Sequence, residues 1–350
     1  GTPGLGGTAY NNVRRDANDS FLSQHKYVRN VSILSGACFA IKRAVFWEAG
    51  GFDAVNTPDG HSDMDLSFKL LKAGYRCAYT PYSVLFHVGN HSWGEKKKKY
   101  KADIFMLKRW GNYLSRDPNF TDSMKLVLYH DFRFNYKIFA SHIDPTKEYT
   151  GLDVLFATDS LMYFDGFGAF IRGISAVQKS NGFSVVVAPT DGPLRAVLEK
   201  QGVVVIVDES LNQKHFLFER FARNFDSVVV GSKSLANAVA QLIAIKRLSV
   251  VWWLYDLNAE NLDWVRENIG SSNGIQVLFG SGQNCEPISD EARFNVIHTG
   301  IEDERCRMLP SSKFDSCTVA LAGAHFNLRS RSLFSDAINL LPKKISNHCR

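Results

Sequence analysis

At 350 residues, with 45% hydrophobic and 22% charged residues, the chain has the composition of a soluble globular protein and room for two domains. No apolar run reaches membrane-spanning length, and the first twenty residues carry no signal-peptide core. A net charge of +6 is mild for this length: it suits anionic ligands or a membrane surface and does not point to nucleic acid. The cysteines Cys38, Cys77, Cys285, Cys306, Cys317 and Cys349 show no Cys-x-x-Cys spacing. Reduced thiols in a cytoplasmic protein are the simplest expectation.

Residues 1 to 34 are rich in Gly and Asn and read as loop until Val31. The run VSILSGACFAI, from Val31, is apolar, with small and β-branched residues, and predicts a buried strand. Lys42 to Ala49 predicts one short amphipathic helix stopped by Gly50 and Gly51. An acidic loop, AVNTPDGHS, leads into DMDLSFKLLKAG, where Leu66, Leu70 and Leu71 share a helical face and Gly74 ends the helix. Tyr75 to His87 then predicts a second strand. Asp63 and Asp65 therefore stand in the first turn of a helix and His87 at the end of a strand, where active-site residues commonly lie. Helix capping is the structural alternative for the two aspartates, and Asp65 is the better candidate for it.

The linked elements LSGACFAIKRAVFWEAGGFD, SDMDLSFKLLKAGYRCAYTP and FHVGNHSWG resemble the second half of a family 2 glycosyltransferase domain of the GT-A fold. The resemblance covers about a third of the chain. It implies an inverting transfer from a nucleoside-diphosphate sugar, with Asp63 as general base, Asp65 as the second acid of the loop, and Asp65, Ser35 and Gly36 at the substrate. It further implies that His87 helps to hold a divalent ion, Mn²⁺ or Mg²⁺, whereas the residue pattern alone favours a partly buried histidine bonded to backbone. Such a base takes the proton of the acceptor hydroxyl as its oxygen attacks the anomeric carbon, and the ion offsets charge on the departing diphosphate. The family's usual Glu before the base is Ser62 here. The family's first half, with its nucleotide pocket and Asp-x-Asp motif, has no counterpart upstream, so the chain is expected to be a fragment.

After the histidine, Trp93 is a candidate sugar platform, with packing as the alternative. EKKKKYK, residues 95–101, reads as the solvated start of a helix continuing through ADIFMLKRWGNYL; a basic flap over a diphosphate or an anionic lipid surface is the sharper reading. Residues 1–116 are thus assigned to the GT-A-like half and 117–149 to a connector. From Gly151 the pattern changes. Strands at 154–157, 184–188 and 203–207 alternate with helices near 167–180 and 192–201, and FDSVVVGS, LANAVAQLIAIK, SVVWWLYD, ENLDWVRENI, IQVLFGS and FNVIHTG continue it. This alternation predicts a doubly wound, Rossmann-like parallel sheet.

Residues 150–305 resemble the N-terminal lobe of family 4 glycosyltransferases of the GT-B fold, through the Asp165-Gly166-Phe167-Gly168 turn, DGPLRAVLEKQGV and WWLYD. Gly166 and Gly168 are substrate-binding candidates, because a glycine turn at a helix start lets backbone N–H groups approach a phosphate or sugar. A tight turn that merely needs glycine is the alternative, and it is the preferred reading for Asp191-Gly192-Pro193. Tyr255 and Asp256 stand where the family usually has His and Glu. Residues 306–350 read as a linker and the start of a second lobe, with Arg329-Ser330-Arg331 partly matching that lobe's pattern. The resemblance as a whole implies a tandem transferase acting on a glycan or lipid-linked acceptor, in the cytoplasm at the inner membrane face. Two rival classes are a non-catalytic carbohydrate- or nucleotide-binding module and a Rossmann oxidoreductase. The second is disfavoured because no strand is followed by Gly-x-Gly-x-x-Gly with an acid about twenty residues on.

Overall fold

The computed structural model describes residues 2–3, 9–10, 26–58, 60–85, 101–119, 136–162, 167–209, 211, 219, 221–245, 248–254, 262–270, 274–280 and 294–297. It is an α/β protein built around a mixed eight-stranded sheet.

That sheet comprises β5 (Tyr136–Phe139), β6 (Asp153–Ala157), β7 (Phe183–Ala188), β8 (Val204–Asp208), β9 (Ser227–Gly231), β10 (Ser249–Leu254), β11 (Ile275–Gly280) and β12 (Phe294–Ile297). The spatial order is β12-β11-β10-β9-β6-β7-β8-β5. All neighbours pair in parallel except β5, which runs antiparallel along β8. Runs of Val and Ile build the central strands, because they are covered on both faces. Every residue of β6 and β7 is buried.

The two faces carry separate cores. Val154, Phe156, Val186 and Ala188 pack with Phe170 and Ile174 of α4 (Phe167–Lys179) and with Leu194 and Leu198 of α5 (Pro193–Lys200). Leu155, Ala157, Val185 and Val187 face the other way, towards α6 (Ala236–Ile243) and α7 (Leu262–Ile269). The winding reverses between β6 and β9, which are adjacent although β7 and β8 intervene in sequence. The Rossmann-like alternation expected from residue 151 onward is present.

The preceding half is smaller. A short antiparallel pair, β3 (Arg29–Val31) with β4 (Cys77–Tyr79), is flanked by α1 (Arg43–Glu48) and α2 (Ser62–Lys72). A separate pair, β1 (Thr2–Pro3) with β2 (Ala9–Tyr10), precedes it. Gly50, Gly51 and Gly74 close the two helices with positive φ, as their sequence positions suggest. The predicted strand from Val31 is shorter than expected: Ser35 to Cys38 is a turn, with the Cys38 amide bonded to the Ser35 carbonyl. Its small residues serve close approach rather than pairing.

Helix α3 (Ala102–Ser115) joins the halves, because it is apolar on two faces. Met106 and Trp110 pack with Ile33, Met64 and Phe68 of the small half. Ile104 and Leu107 pack into the core of the large sheet. The stretch 117–149, expected as a connector, contributes the edge strand β5 to that sheet. No described helix is long and apolar enough to cross a membrane.

Candidate functional site

Helix α2 begins at His61, whose backbone is left-handed (φ 63°) and whose carbonyl accepts the Asp65 amide at 2.8 Å. Two residues later the half-buried Asp63 turns its carboxylate back across the helix start. Asp63 Oδ2 accepts the Gly36 amide at 2.8 Å and Oδ1 accepts the Met64 amide at 2.9 Å. Its carbonyl accepts Ser67 Oγ at 2.6 Å, and Ser67 Oγ in turn accepts the Leu34 amide at 3.0 Å. The Ser35–Cys38 turn and the start of α2 are thereby laced together, with Gly36 exposed at the surface. A Cβ at Gly36 would lie 3.2 Å from both Cβ and Oδ2 of Asp63, so only glycine lets the two segments close without displacement.

Asp65 does something different. It is fully buried, accepts Trp110 Nε1 at 2.8 Å, and pairs with Lys69 Nζ at 2.7 Å. Arg109 Nε stands 3.7 Å away and also reaches Asp53 at 3.4 Å. The capping expectation is therefore reversed: Asp63 satisfies a first-turn amide, while Asp65 is a core anchor tying α2 to α3. A carboxylate with no exposed surface cannot meet a substrate, and the expected substrate contact at Asp65 is corrected accordingly. Lys69 Nζ also donates to the Gly51 carbonyl at 3.0 Å, which fixes the GGFD turn. Asp53 closes that turn by accepting the Asn56 side chain and the Val55 and Asn56 amides. Burial works against the Asp53 carboxylate, yet those bonds and Lys69 hold its pKa below the ordinary value.

Ser35, half-buried, and Gly36 both belong to the Ser35–Cys38 turn, which the structure brings against Asp63 through the Gly36 amide. His87, Trp93 and Gly166 lie outside the described residues, as do Tyr255, Asp256 and residues 95–100 of the lysine run. Among the described residues no three His, Cys, Asp or Glu side chains are grouped to hold a metal ion. Asp63 and Asp65 diverge, one towards Gly36 and one into the core, so they do not form a chelating pair.

In the large sheet the carboxyl ends of β6 and β9 meet at the reversal of winding, where open α/β sheets commonly bind ligands. Ser234 Oγ donates to Asp159 Oδ2 at 3.0 Å across this crevice. Ser232, just after β9, has φ 72° and is buried, its hydroxyl accepting the Ser234 amide at 3.2 Å. Gly168 stands in the first turn of α4, and an added Cβ would meet only Arg172 Nη1, at 3.6 Å. The turn does not need glycine there for packing. Gly192 is the opposite case: its Cβ would come 2.5 Å from the Leu161 backbone, so that glycine is structural.

A cleft of about 1120 Å³ between the halves is lined by Lys69, Lys101, Lys108, Arg109 and Tyr149. Several of its cations are paired: Lys69 with Asp65, Lys101 with Asp226 at 2.7 Å and Asp153 at 3.0 Å, and Lys108 with Asp153 at 2.6 Å, while Lys72 and Lys147 also line it. It is a seam held by ion pairs. His61, Asp103 and Asn224, also at this seam, carry no sequence signal as site residues, apart from the position of His61 two residues before Asp63.

No family model matches the chain, and no solved structure does. A protein of Sinorhizobium fredii, "Uncharacterized protein y4gI", is 29% identical over 131 residues, which is 35% of this chain and 14% of that protein. The matched stretch is thus a small part of the relative's length, and its name carries no activity.

Proposed function

We propose that the chain is part of a glycosyltransferase that moves a sugar from a nucleoside-diphosphate donor to a glycan or lipid-linked acceptor, with Asp63 as general base. The observation that carries this reading is the Asp63 carboxylate, oriented by the Gly36 and Met64 amides at the rim of a small-residue turn. Each carboxylate oxygen has a second acceptor site beyond the one its amide fills. In the proposed step the acceptor hydroxyl gives its proton to Asp63 while its oxygen forms the bond to the anomeric carbon. The bond from that carbon to the diphosphate oxygen breaks, and the nucleoside diphosphate leaves with the electron pair. The described residues do not supply a ligand set for Mn²⁺ or Mg²⁺, so no step is assigned to a metal.

The doubly wound sheet is compatible with a second ligand crevice at the carboxyl ends of β6 and β9, with Asp159, Ser234 and Gly168 as its candidates; that this half is the acceptor lobe of a GT-B-type transferase belongs to the same proposal and rests on the resemblance. A location at the inner face of a membrane belongs to the same proposal and rests on the resemblance alone.

A second reading, a sugar- or nucleotide-binding module without turnover, is favoured by one feature: both Asp63 oxygens already accept backbone amides. Nucleotide-sugar turnover by the parent and by Asp63→Asn, paired with donor binding by calorimetry, separates the two. Turnover abolished in the variant with binding retained supports the transferase; binding without turnover in either supports the module.

A further inference from the structure

The start of α2 is bonded across the seam between the halves. His61 Nε2 lies 2.6 Å from Asp103 Oδ1, with side chains only 11% and 10% exposed. Asp103 Oδ2 accepts Asn224 Nδ2 at 2.9 Å. Asn224 belongs to the large sheet's half, just before β9, and its side chain also donates to the Phe221 carbonyl at 3.0 Å. The chain of bonds therefore runs from the sheet, through the first turn of α3, to the residue that begins α2.

His61 has no side-chain capping bond to its own helix and occupies the left-handed region, where few side chains other than Asn, Asp and His settle. Such a conformation persists when surrounding contacts fix it. Here the fixing contact is Asp103. Because Asp63 is two residues further on, and its bonds to Gly36 and Met64 depend on where the helix starts, the His61 backbone sets the carboxylate's direction.

We propose that Asn224, Asp103 and His61 form a positioning strap by which the doubly wound half holds Asp63 in its working orientation. Its consequence for catalysis rests on the reading of Asp63 as the base; the strap itself does not. Transfer at Asp63 would then depend on the second half being docked, which couples the two halves without a shared ligand.

The test uses the full-length protein and two variants, with amide hydrogen exchange at Gly36 and Met64 read alongside kcat and KM. Asn224→Ala removes the outer bond of the strap, together with the local bond to the Phe221 carbonyl, and leaves the His61–Asp103 pair in place. His61→Gly keeps the left-handed backbone without strain but loses the bond to Asp103. Both are expected to speed exchange at Gly36 and Met64 about tenfold while leaving the β6 and β7 amides unchanged. Both should also lower kcat about tenfold at unchanged KM, as expected when a reacting group is misplaced. Unchanged exchange at Gly36 and Met64 in both variants would overturn the strap. Faster exchange in a protein whose parent shows no sugar transfer would uphold the strap and overturn the transferase reading.

Discussion

Gly36 and Asp63 meet across 27 positions of sequence, amide to carboxylate, at 2.8 Å, and the contact leaves no space for a side chain at Gly36. Placing Ala there brings a Cβ to 3.2 Å from Asp63 Cβ and Oδ2, so the carboxylate must move by a few tenths of an ångström. Gly36→Ala is expected to lower kcat about tenfold, because small displacements of a reacting group are costly. Thermal melting should barely change, since the site is exposed. A kcat equal to the parent's would show that Asp63 does not need this geometry.

The two acids of the α2 start should separate cleanly by stability. Asp65→Asn strands the Lys69 ammonium in a site where its side chain is 12% exposed, and is expected to cost about 3 kcal/mol in urea unfolding. Asp63→Asn loses one of two amide bonds near the surface and should cost about 1 kcal/mol. Equal losses would contradict the division between a buried anchor and a site residue.

Much of this was legible in the sequence, and the failures have physical causes. Alternating β-branched runs and helical segments from residue 151 onward announced the doubly wound sheet, because a strand covered on both faces must be apolar throughout. The edge strand β5 was missed because an edge needs only one buried face, and Tyr136 and Ile138 are buried while Lys137 is exposed. Ser35–Cys38 read as strand because small apolar residues suit both a buried strand and a turn built for close approach. Asp65 resembled a cap, since position alone does not say that its side chain turns inward to Trp110, 45 residues away. The strap is invisible to any local pattern: His61 and Asp103 are 42 residues apart and Asp103 and Asn224 are 121.

The ion pairs of the seam predict a pH dependence. At Asp226 burial opposes the charged form, but Lys101 and the Asp153 amide outweigh it and hold the carboxyl below its ordinary pKa. Burial similarly opposes the Lys101 charge, and its bonds to Asp226 and Asp153 raise its pKa above the usual lysine value. A lowered carboxyl stabilises the fold above its unfolded pKa of about 3.9, and that contribution fades as pH falls through the folded value. A raised lysine stabilises below its unfolded pKa of about 10.4, fading as pH rises through the folded value. The seam is therefore strongest between about pH 4 and pH 10. Because Lys101 is 46% and Asp226 35% exposed, the pair is worth no more than about 1 kcal/mol. Asp226→Asn should flatten the acid side of the unfolding curve; an unchanged acid limb would contradict the assignment.

Two helix-start glycines should respond in opposite ways. Gly192→Ala drives a Cβ into the Leu161 backbone and should cost about 2 kcal/mol or more. Gly168→Ala meets only Arg172 Nη1 at an ordinary contact distance of 3.6 Å and, being helical, should leave stability unchanged or raise it by up to about 1 kcal/mol. If Gly168 serves a ligand, the same variant should weaken sugar-phosphate binding to the doubly wound half. Binding equal to the parent's would remove Gly168 from the site.

The most direct test of the central claim is nucleotide-sugar turnover by the full-length protein and its Asp63→Asn variant, with Mn²⁺ and without added metal, each variant checked by circular dichroism for intact folding. With Asp63 as the base, kcat falls by about a hundredfold or more in the folded variant, while donor affinity is kept. Turnover that survives Asp63→Asn would contradict the account and move the chemistry away from the start of α2.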